Sequence, residues 1–361
     1  MRSFLGITAD NRRRVALAIA IGVAGGAVFQ LLSLPLAWML GSMIAVTIAA
    51  MAGANVVLPN TLRTVCASVI GVLLGSAFSP ALIDQLATFG GMIVVLVTYA
   101  VLCTALGYQL HRRFGKLDPK TAYFSSTPGG LSEMTMVGEA MGADPRIVPL
   151  NHGVRIVLVV ILIPFYFRYI EGLNVPTAHP TGAITELSAI DAAILLTCGL
   201  VGHVVGKRLK MPAYALIGPM MLSAVVHSLG WTTAKVPSPI VAAALCVIGT
   251  GVGCRFVQRL ALDVMVRIIL RATLVALATI ALAVVVATIA ARFTDIAPYS
   301  VFLSIAPGGL AEMSLIALAL GADTAFITIM HFVRVTTVMS LGAFFFRLVR
   351  ERPGQAPAPG D

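Results

Sequence analysis

The chain alternates long apolar runs with short polar connections over most of its length. Five runs lie in the first half, at about 15–32, 35–52, 62–78, 86–110 and 147–167. Five more lie in the second half, at about 189–206, 212–229, 239–254, 268–291 and 325–346. A run of roughly 20 apolar residues can cross the hydrocarbon core of a bilayer as a helix. The pattern predicts an all-α polytopic membrane protein with about 10 transmembrane helices.

Composition supports this class. Hydrophobic residues make up 58% of the chain and charged residues only 11%, whereas soluble domains carry about 25% charged residues. The net charge of +10 suits a membrane protein whose cytoplasmic loops collect Lys and Arg. We therefore expect membrane lipid as a partner and no direct contact with nucleic acid. The five Cys residues form no CxxC pair and are predicted to be buried thiols.

Between the fourth and fifth run of each half lies a shorter segment broken by glycine, at about 119–142 and 297–321. Residues 127–155 align with 306–334 without a gap, and 13 of the 29 positions are identical. This duplication predicts two membrane repeats, 1–175 and 176–350, each containing one broken segment. The Pro/Gly-rich tail, 351–361, is predicted to be disordered.

The distribution of Lys and Arg predicts the topology. If each broken segment is a re-entrant hairpin, each half crosses the membrane five times and the two halves are inverted. The N- and C-termini are then cytoplasmic, and most Lys and Arg residues fall on that side, as the positive-inside rule requires. If the broken segments cross fully, the cluster Lys207–Lys210 falls on the wrong side. The inverted arrangement is favoured.

The hairpin tips are the first candidate site. Backbone broken by Gly and Pro is tolerated within a membrane only where protein buries it or where it lines a cavity. A helix that starts after each tip presents free N–H groups and a positive dipole end, which can hold an anion. Two inverted hairpins would bring their tips together near the midplane. The tip residues are Thr127, Pro128, Gly129 and Gly130 in the first half and Pro307, Gly308 and Gly309, after Ala306, in the second.

Glu133 and Glu312 follow the tips within the first helical turn. One interpretation makes them carboxylates that couple transport to protons or another cation. The other makes them structural, because an acidic side chain stabilises a helix N-terminus. The sequence leaves both open. Glu139, which has Leu318 as its counterpart, is a secondary polar candidate.

His152 and Arg155 lie three residues apart on one helical face, and His331 and Arg334 repeat the spacing. An Arg inside an apolar run is a functional-site hypothesis, and two such residues favour an anionic solute. The alternative is a structural ion pair of each Arg with the Glu of its own half. Asn151 is a further candidate, and it has no counterpart because Met330 takes its place.

Asp144 and Asp323 follow a Gly-Ala pair just before the last run of each half. We expect both to be N-caps of that run. We expect Gly142 and Gly321 to take the left-handed conformation that ends the preceding helix.

Three functions remain. A secondary transporter of a small, anionic solute, coupled to protons or sodium, fits the repeat and the intramembrane charges best. A membrane enzyme such as a metal-dependent oxygenase needs a cluster of His and carboxylate ligands, but each repeated core holds one His beside an Arg. We therefore expect no enzyme activity, no metal and no cofactor. A membrane-bound sensor or regulator is the third option. A homodimer is left open.

The repeated pattern PGGL(S/A)EM…GAD…H..R on a duplicated apolar chain resembles the AbrB-type bacterial inner-membrane family. That family also carries the label ammonia monooxygenase. The resemblance covers essentially the whole chain and both copies of the pattern. It implies a multi-pass protein of the bacterial inner (plasma) membrane, with regulation of gene expression as a family label. It implies nothing about DNA contact, because this chain does not resemble the small soluble regulator that shares the name.

Overall fold

The computed structural model of the chain describes residues 7–8, 10–78, 86–172, 181–182, 187–256, 262–294 and 296–349. The proposed disordered tail, 351–361, lies outside these residues. Seven helices form the first half: α1 (Arg12–Leu31), α2 (Ala37–Met51), α3 (Asn60–Gly75), α4 (Leu86–Arg113), α5 (Pro119–Ser126), α6 (Leu131–Ala140) and α7 (Ile147–Tyr169).

Seven helices follow in the second half: α8 (Ala189–Arg208), α9 (Tyr214–Ser228), α10 (Ser238–Gly253), α11 (Leu262–Ala290), α12 (Pro298–Ile305), α13 (Leu310–Ala319) and α14 (Thr324–Val349). A short 3₁₀ turn, Cys254–Phe256, extends α10. All ten predicted apolar runs are helical. The described residues contain no β-strand, only a single bridge between Gly182 and Pro237.

The described helices differ in how well they could cross a membrane. Six are long and apolar enough by length and composition, namely α1, α4, α7, α8, α10 with its 3₁₀ turn, and α11. Helices α2, α3 and α9 have 15 or 16 residues, and at 1.5 Å per residue they fall short of a hydrocarbon core about 30 Å thick. The structure thus supports a multi-pass membrane protein, while the count of about 10 crossings stays a prediction.

Corresponding helices follow each other in the same order in the two halves, and corresponding pairs of helices pack together. Helix α1 packs on α2, where Gly25 meets the backbone of Gly41, and α8 packs on α9, where Gly202 meets Gly218. Across the halves, α3 packs on α9 and α2 on α10. Small residues allow membrane helices to approach this closely. Side chains at these glycines would collide with the opposing backbone.

The first broken segment folds back on itself. The backbone N–H of Asp144, which follows α6, donates to Oγ1 of Thr121, near the start of α5, over 2.9 Å. Gly142 lies beside the ammonium group of Lys120. The chain therefore returns to the place where the segment began, which is the geometry of a hairpin. Both segments break at the predicted tips, after Ser126 and after Ile305.

The predicted helix ends are confirmed with one exception. Gly142 and Gly321 have φ of +87° and +65°, the left-handed conformation that glycine adopts without strain. Asp323 caps α14, because its Oδ1 accepts from the N–H of Phe326 over 2.9 Å. Asp144 does not cap α7 directly. The N-cap of α7 is Arg146, and Asp144 binds the backbone and side chain of that arginine instead.

Candidate functional site

The two hairpin tips have the same local structure. The N–H of Gly129 donates to the carbonyl of Thr127, and that of Gly308 donates to Ala306, each over 2.8 Å. A side chain at either glycine would overlap the methionine five residues later. The glycines thus permit a tight turn that the following helix covers, and this explains why Gly and Met recur together in the repeated pattern.

Each glutamate lies over the start of its own helix. A side chain at Gly130 would overlap the carboxylate of Glu133, and one at Gly309 would overlap that of Glu312. A carboxylate in the first turn is favoured by the free N–H groups and the helix dipole there. The geometry matches the structural interpretation of these residues. The helix N-termini are consequently covered by the protein's own carboxylates, where the sequence had suggested a place for a solute anion.

Arg334 braces the second tip. Its guanidinium donates to the carbonyl oxygens of Ala306 and Gly308, over 2.5 and 2.6 Å. The side chain is fully buried. The positive charge therefore lies at the C-terminal end of α12, where the unpaired carbonyl groups and the helix dipole favour a cation.

Arg155 occupies the equivalent place at the first tip but is held differently. It donates to the carbonyl of Thr127 over 3.4 Å and contacts Nδ1 of His152 over 3.0 Å. The alternative of an ion pair with the glutamate of the same half does not describe either arginine, because both guanidinium groups contact other atoms. They instead stabilise the backbone of the tips.

The two histidines and Asn151 support the first helix of each hairpin. Nε2 of His152 lies 2.8 Å from the carbonyl of Phe124, and Nε2 of His331 lies 2.8 Å from that of Leu303. The amide of Asn151 donates to Oγ of Ser125 and to the carbonyl of Ile147. Each half thus brings its predicted site residues together, but as a support for the hairpin.

A cavity of about 950 Å³ lies beside the first hairpin. Four arginines from different parts of the chain line it, together with one acidic residue, Glu139. The arginines are Arg14, Arg63, Arg146 and Arg255. Arg14 and Arg146 are exposed, whereas Arg63 and Arg255 are half-buried. The described lining carries an excess of positive charge, which attracts anions.

The cavity does not match the space expected between two opposed tips. Its hairpin wall consists of Leu131, Thr135, Met136 and Glu139, all from α6. Among the described residues, none of the lining comes from the second hairpin, where α13 is largely buried in the protein. The tips themselves are buried because both broken backbones pack inside protein, as their unpaired polar groups require.

The walls of the cavity come from the same face of the molecule. They include the start of α1 at Arg14, the connection between α2 and α3, the connection between α6 and α7, and the 3₁₀ turn after α10. The Lys and Arg distribution had placed these segments on one side of the membrane. In the structure these segments meet at one mouth, while their side of the membrane stays a prediction.

An ion pair lies at the exposed rim. Nη2 of Arg146 lies 2.9 Å from Oδ2 of Asp144. Hydrogen bonds from Arg146 lower the pKa of Asp144 below its ordinary value, since they favour the charged carboxylate. The pair holds the connection between α6 and α7 at the edge of the cavity.

Sequence reasoning missed Arg63 and Arg255. The duplication could have revealed both residues. An offset of 178 residues relates α3 to α10, and at this offset Arg63 corresponds to Val241 and Arg255 to Ala77. A charged residue whose counterpart is apolar is not required by the shared scaffold. Arg255 also lies within electrostatic reach of Arg63, Glu312 and Glu133.

Among the residues that the structure describes, no group of three or more His, Cys, Asp or Glu side chains is arranged to hold a metal ion.

Comparison with known proteins now adds the family. Residues 38–350 match a family model described as "Transition state regulatory protein AbrB". The chain belongs to this family. It is 28% identical over 359 residues to "Uncharacterized protein YhjN" of Bacillus subtilis (strain 168), covering 93% of each chain. It is 25% identical over 335 residues to "Putative regulator AbrB" of Escherichia coli (strain K12), covering 93% of this chain and 94% of that protein. The resemblance inferred from the repeated pattern is thereby confirmed.

Proposed function

We propose that this AbrB-family protein is a secondary transporter of a small anionic solute in the bacterial inner membrane. The observation that carries the proposal is the arginine-lined cavity of about 950 Å³ beside the first hairpin. Its volume lies within the range of small-molecule sites, which is about 300–1,000 Å³. Its charge favours anions, and its inner wall is a broken helix of the kind found at transporter sites.

The proposal includes two inverted repeats. The fold-back of the first segment supports it, because the chain leaves α6 on the face where it entered α5. The cavity then opens toward the cytoplasm, on the side of both termini. In this arrangement the hairpin tips, with Glu133 and Arg155, separate the cavity from the interior. We assign the tips the role of a barrier that opens to let the solute cross. Protons or sodium serve as the coupling ion.

A second function is favoured by the word "regulator" in the name of the Escherichia coli relative and in the family description. A membrane-bound sensor would bind the same anion in the same cavity without moving it across. Gene expression would then respond through a partner protein. The ammonia-oxygenase alternative gains no support from an observation in the described residues.

The experiment that separates these functions uses the full chain in two formats. Reconstituted vesicles are assayed for uptake of radiolabelled succinate, lactate and inorganic phosphate under an imposed pH or sodium gradient. Detergent-purified protein is assayed for thermal stabilisation by the same anions. We expect binding together with saturable uptake above protein-free vesicles. Binding without uptake would favour the sensor, and neither binding nor uptake for the panel would overturn the anion proposal.

A further inference from the structure

We propose that a small polar cavity beside Arg155 binds one halide ion, such as chloride, as the counter-ion of that arginine. The cavity has a volume of about 10 Å³, which is enough for one particle of about the size of a water molecule. It is separate from the large cavity, because no described residue lines both. The inference goes beyond the proposed function, since it assigns a second ligand at a second place and does not require transport.

Four helices enclose this small cavity. Its polar side chains come from α4, α5, α7 and α11, and the rest of the described lining is alanine and valine. No aspartate or glutamate is among the described lining residues. All of the polar lining residues are buried; they are His111, Ser125, Ser126, Asn151, Arg155 and Thr279.

Arg155 carries a buried charge that the described protein groups satisfy poorly. Its side chain is only 7% exposed, and its Nε has no hydrogen-bond partner among the described residues. The guanidinium group contacts the carbonyl of Thr127 over 3.4 Å and Nδ1 of His152 over 3.0 Å. Neither partner carries a negative charge. Because a buried charge is costly unless it is paired, the site favours an anion.

The arginine of the second tip adds to the positive potential. Arg334 is fully buried and lies within electrostatic reach of Arg155. Its guanidinium group donates to the carbonyl oxygens of Ala306 and Gly308, which do not cancel its charge. Two buried cations near each other are stabilised by an anion close to either one.

The cavity also offers further hydrogen-bond donors. The hydroxyl of Ser125 accepts from the amide of Asn151 over 3.2 Å, and its own hydrogen can rotate toward the cavity. The ring of His111 faces the same space and carries an N–H in either tautomer. Together with Nε of Arg155, these groups suit a halide, which accepts several hydrogen bonds at once. A water molecule would fit the space but would leave the charge uncompensated, and a carboxylate or a phosphate is too large for it.

The duplication shows that the polar lining is specific to the first half. The offset of 179 residues extends back to the end of α4, because Arg113-Phe114 recurs as Arg292-Phe293. At this offset three polar lining residues have apolar counterparts. His111, Ser126 and Asn151 correspond to Ala290, Ile305 and Met330. The polar cavity therefore lies beside the arginine that the tip carbonyls hold weakly, and its counterpart is lost beside the arginine that they hold firmly.

The test measures halide binding to the full-length protein in detergent. Chloride or bromide replaces gluconate at constant ionic strength, and the midpoint of thermal unfolding is followed. We expect both halides to raise the midpoint saturably relative to gluconate, which is too large for the cavity. Crystals grown in bromide should show an anomalous peak beside Nε of Arg155.

Three variants assign the effect to this cavity. Arg155→Met should remove the halide dependence, but it also removes contacts to the first tip. Ser125→Ala keeps the charge and removes one donor, and should weaken halide binding about 10-fold, the loss expected for a hydrogen bond to a charged group. Ser304→Ala is the matched control, because Ser304 is the buried counterpart of Ser125 in α12 and does not line the cavity. It should leave the halide affinity unchanged.

The proposal is overturned by any of three results. The wild type could show no saturable difference between halide and gluconate, Ser125→Ala could bind halide as the wild type does, or Ser304→Ala could weaken binding as much. A bromide crystal with only water in the cavity would also remove the site. None of these results bears on the transporter, whose uptake assay uses other anions and is scored separately.

Discussion

The two hairpins have nearly the same tip and different surroundings. In the first, α6 forms a wall of the cavity through Leu131, Thr135 and Glu139. In the second, α13 is buried along most of its length. The residues that both hairpins share support the backbone, since they pair with tip carbonyls and helix ends. Three charged residues of the cavity lining, Glu139, Arg63 and Arg255, have apolar counterparts in the other half. Comparing the two hairpins thus distinguishes the residues that support the backbone from the residues that could bind a solute.

The braces of the two tips also differ. Arg334 contacts two tip carbonyls at 2.5 and 2.6 Å, whereas Arg155 contacts one at 3.4 Å. A shorter, charge-assisted hydrogen bond is the stronger one. Arg155 therefore holds the first tip less firmly than Arg334 holds the second, which is the difference that the proposed barrier role needs.

The largest expected effect is that the ends of the two hairpins are labelled from opposite faces of the membrane. Single Cys probes at Arg146 and Asp323, in a chain whose five native Cys are replaced, should react with an impermeant maleimide from opposite faces of the membrane. This result is expected if each segment folds back to the face it entered, as the first one does, and if the repeats are inverted as we propose. Probes at Arg14 and Trp231 serve as references for the two faces. Labelling of Arg146 and Asp323 from one face would contradict the inverted arrangement.

The next largest effect is the difference in stability lost when Arg334 or Arg155 is replaced. Arg334→Met leaves the carbonyls of Ala306 and Gly308 without a donor and should lower the free energy of unfolding by about 2 to 4 kcal/mol. Arg155→Met removes one long contact to a tip carbonyl together with the contact to His152, and should cost less than Arg334→Met does. Reversible unfolding in mixed micelles measures both.

Arg292→Met, at an exposed position, is the control and should change the stability little. If Arg155→Met and Arg334→Met cost the same, the first tip is held as firmly as the second, and its role as the looser barrier is wrong.

The smallest effect concerns the glycines over which the glutamates fold. Gly309→Ala should destabilise the protein by about 1 to 3 kcal/mol, because the added methyl group overpacks against Glu312. Gly130→Ala should cost less, since α6 borders the cavity and has more room to shift than α13, which is buried along most of its length. The free energy of unfolding is again the measurement.

A second substitution tests the cause. In a Glu312→Ala background, Gly309→Ala should lose most of its cost because the overlapping carboxylate is gone. Gly90→Ala, on a helix where an added methyl group meets nothing within 4 Å, controls for the general effect of alanine. A cost that persists without Glu312 would show that the backbone of the tip, and not the carboxylate, requires glycine.

The sequence was sufficient for the elements and their order. The ten apolar runs, the two breaks at Pro-Gly-Gly, the left-handed glycines 142 and 321 and the cap at Asp323 all follow from local rules of hydrophobicity and backbone conformation. The family followed from the repeated pattern. The sequence also named the residues around each tip, because charged and polar groups are rare in apolar helices.

Only the tertiary structure decided what those residues contact. Arg155 and Arg334 could pair with glutamates, anions or carbonyl groups, and spacing alone cannot choose among partners that lie far apart in the chain. Packing of α5 on α7 and of α12 on α14 placed the tip carbonyls beside the guanidinium groups. Arg63 and Arg255 are almost 200 residues apart in sequence, and the crossing of α3 and α10 makes them neighbours. A cavity is the space that packed elements leave unfilled, so its position depends on the whole fold.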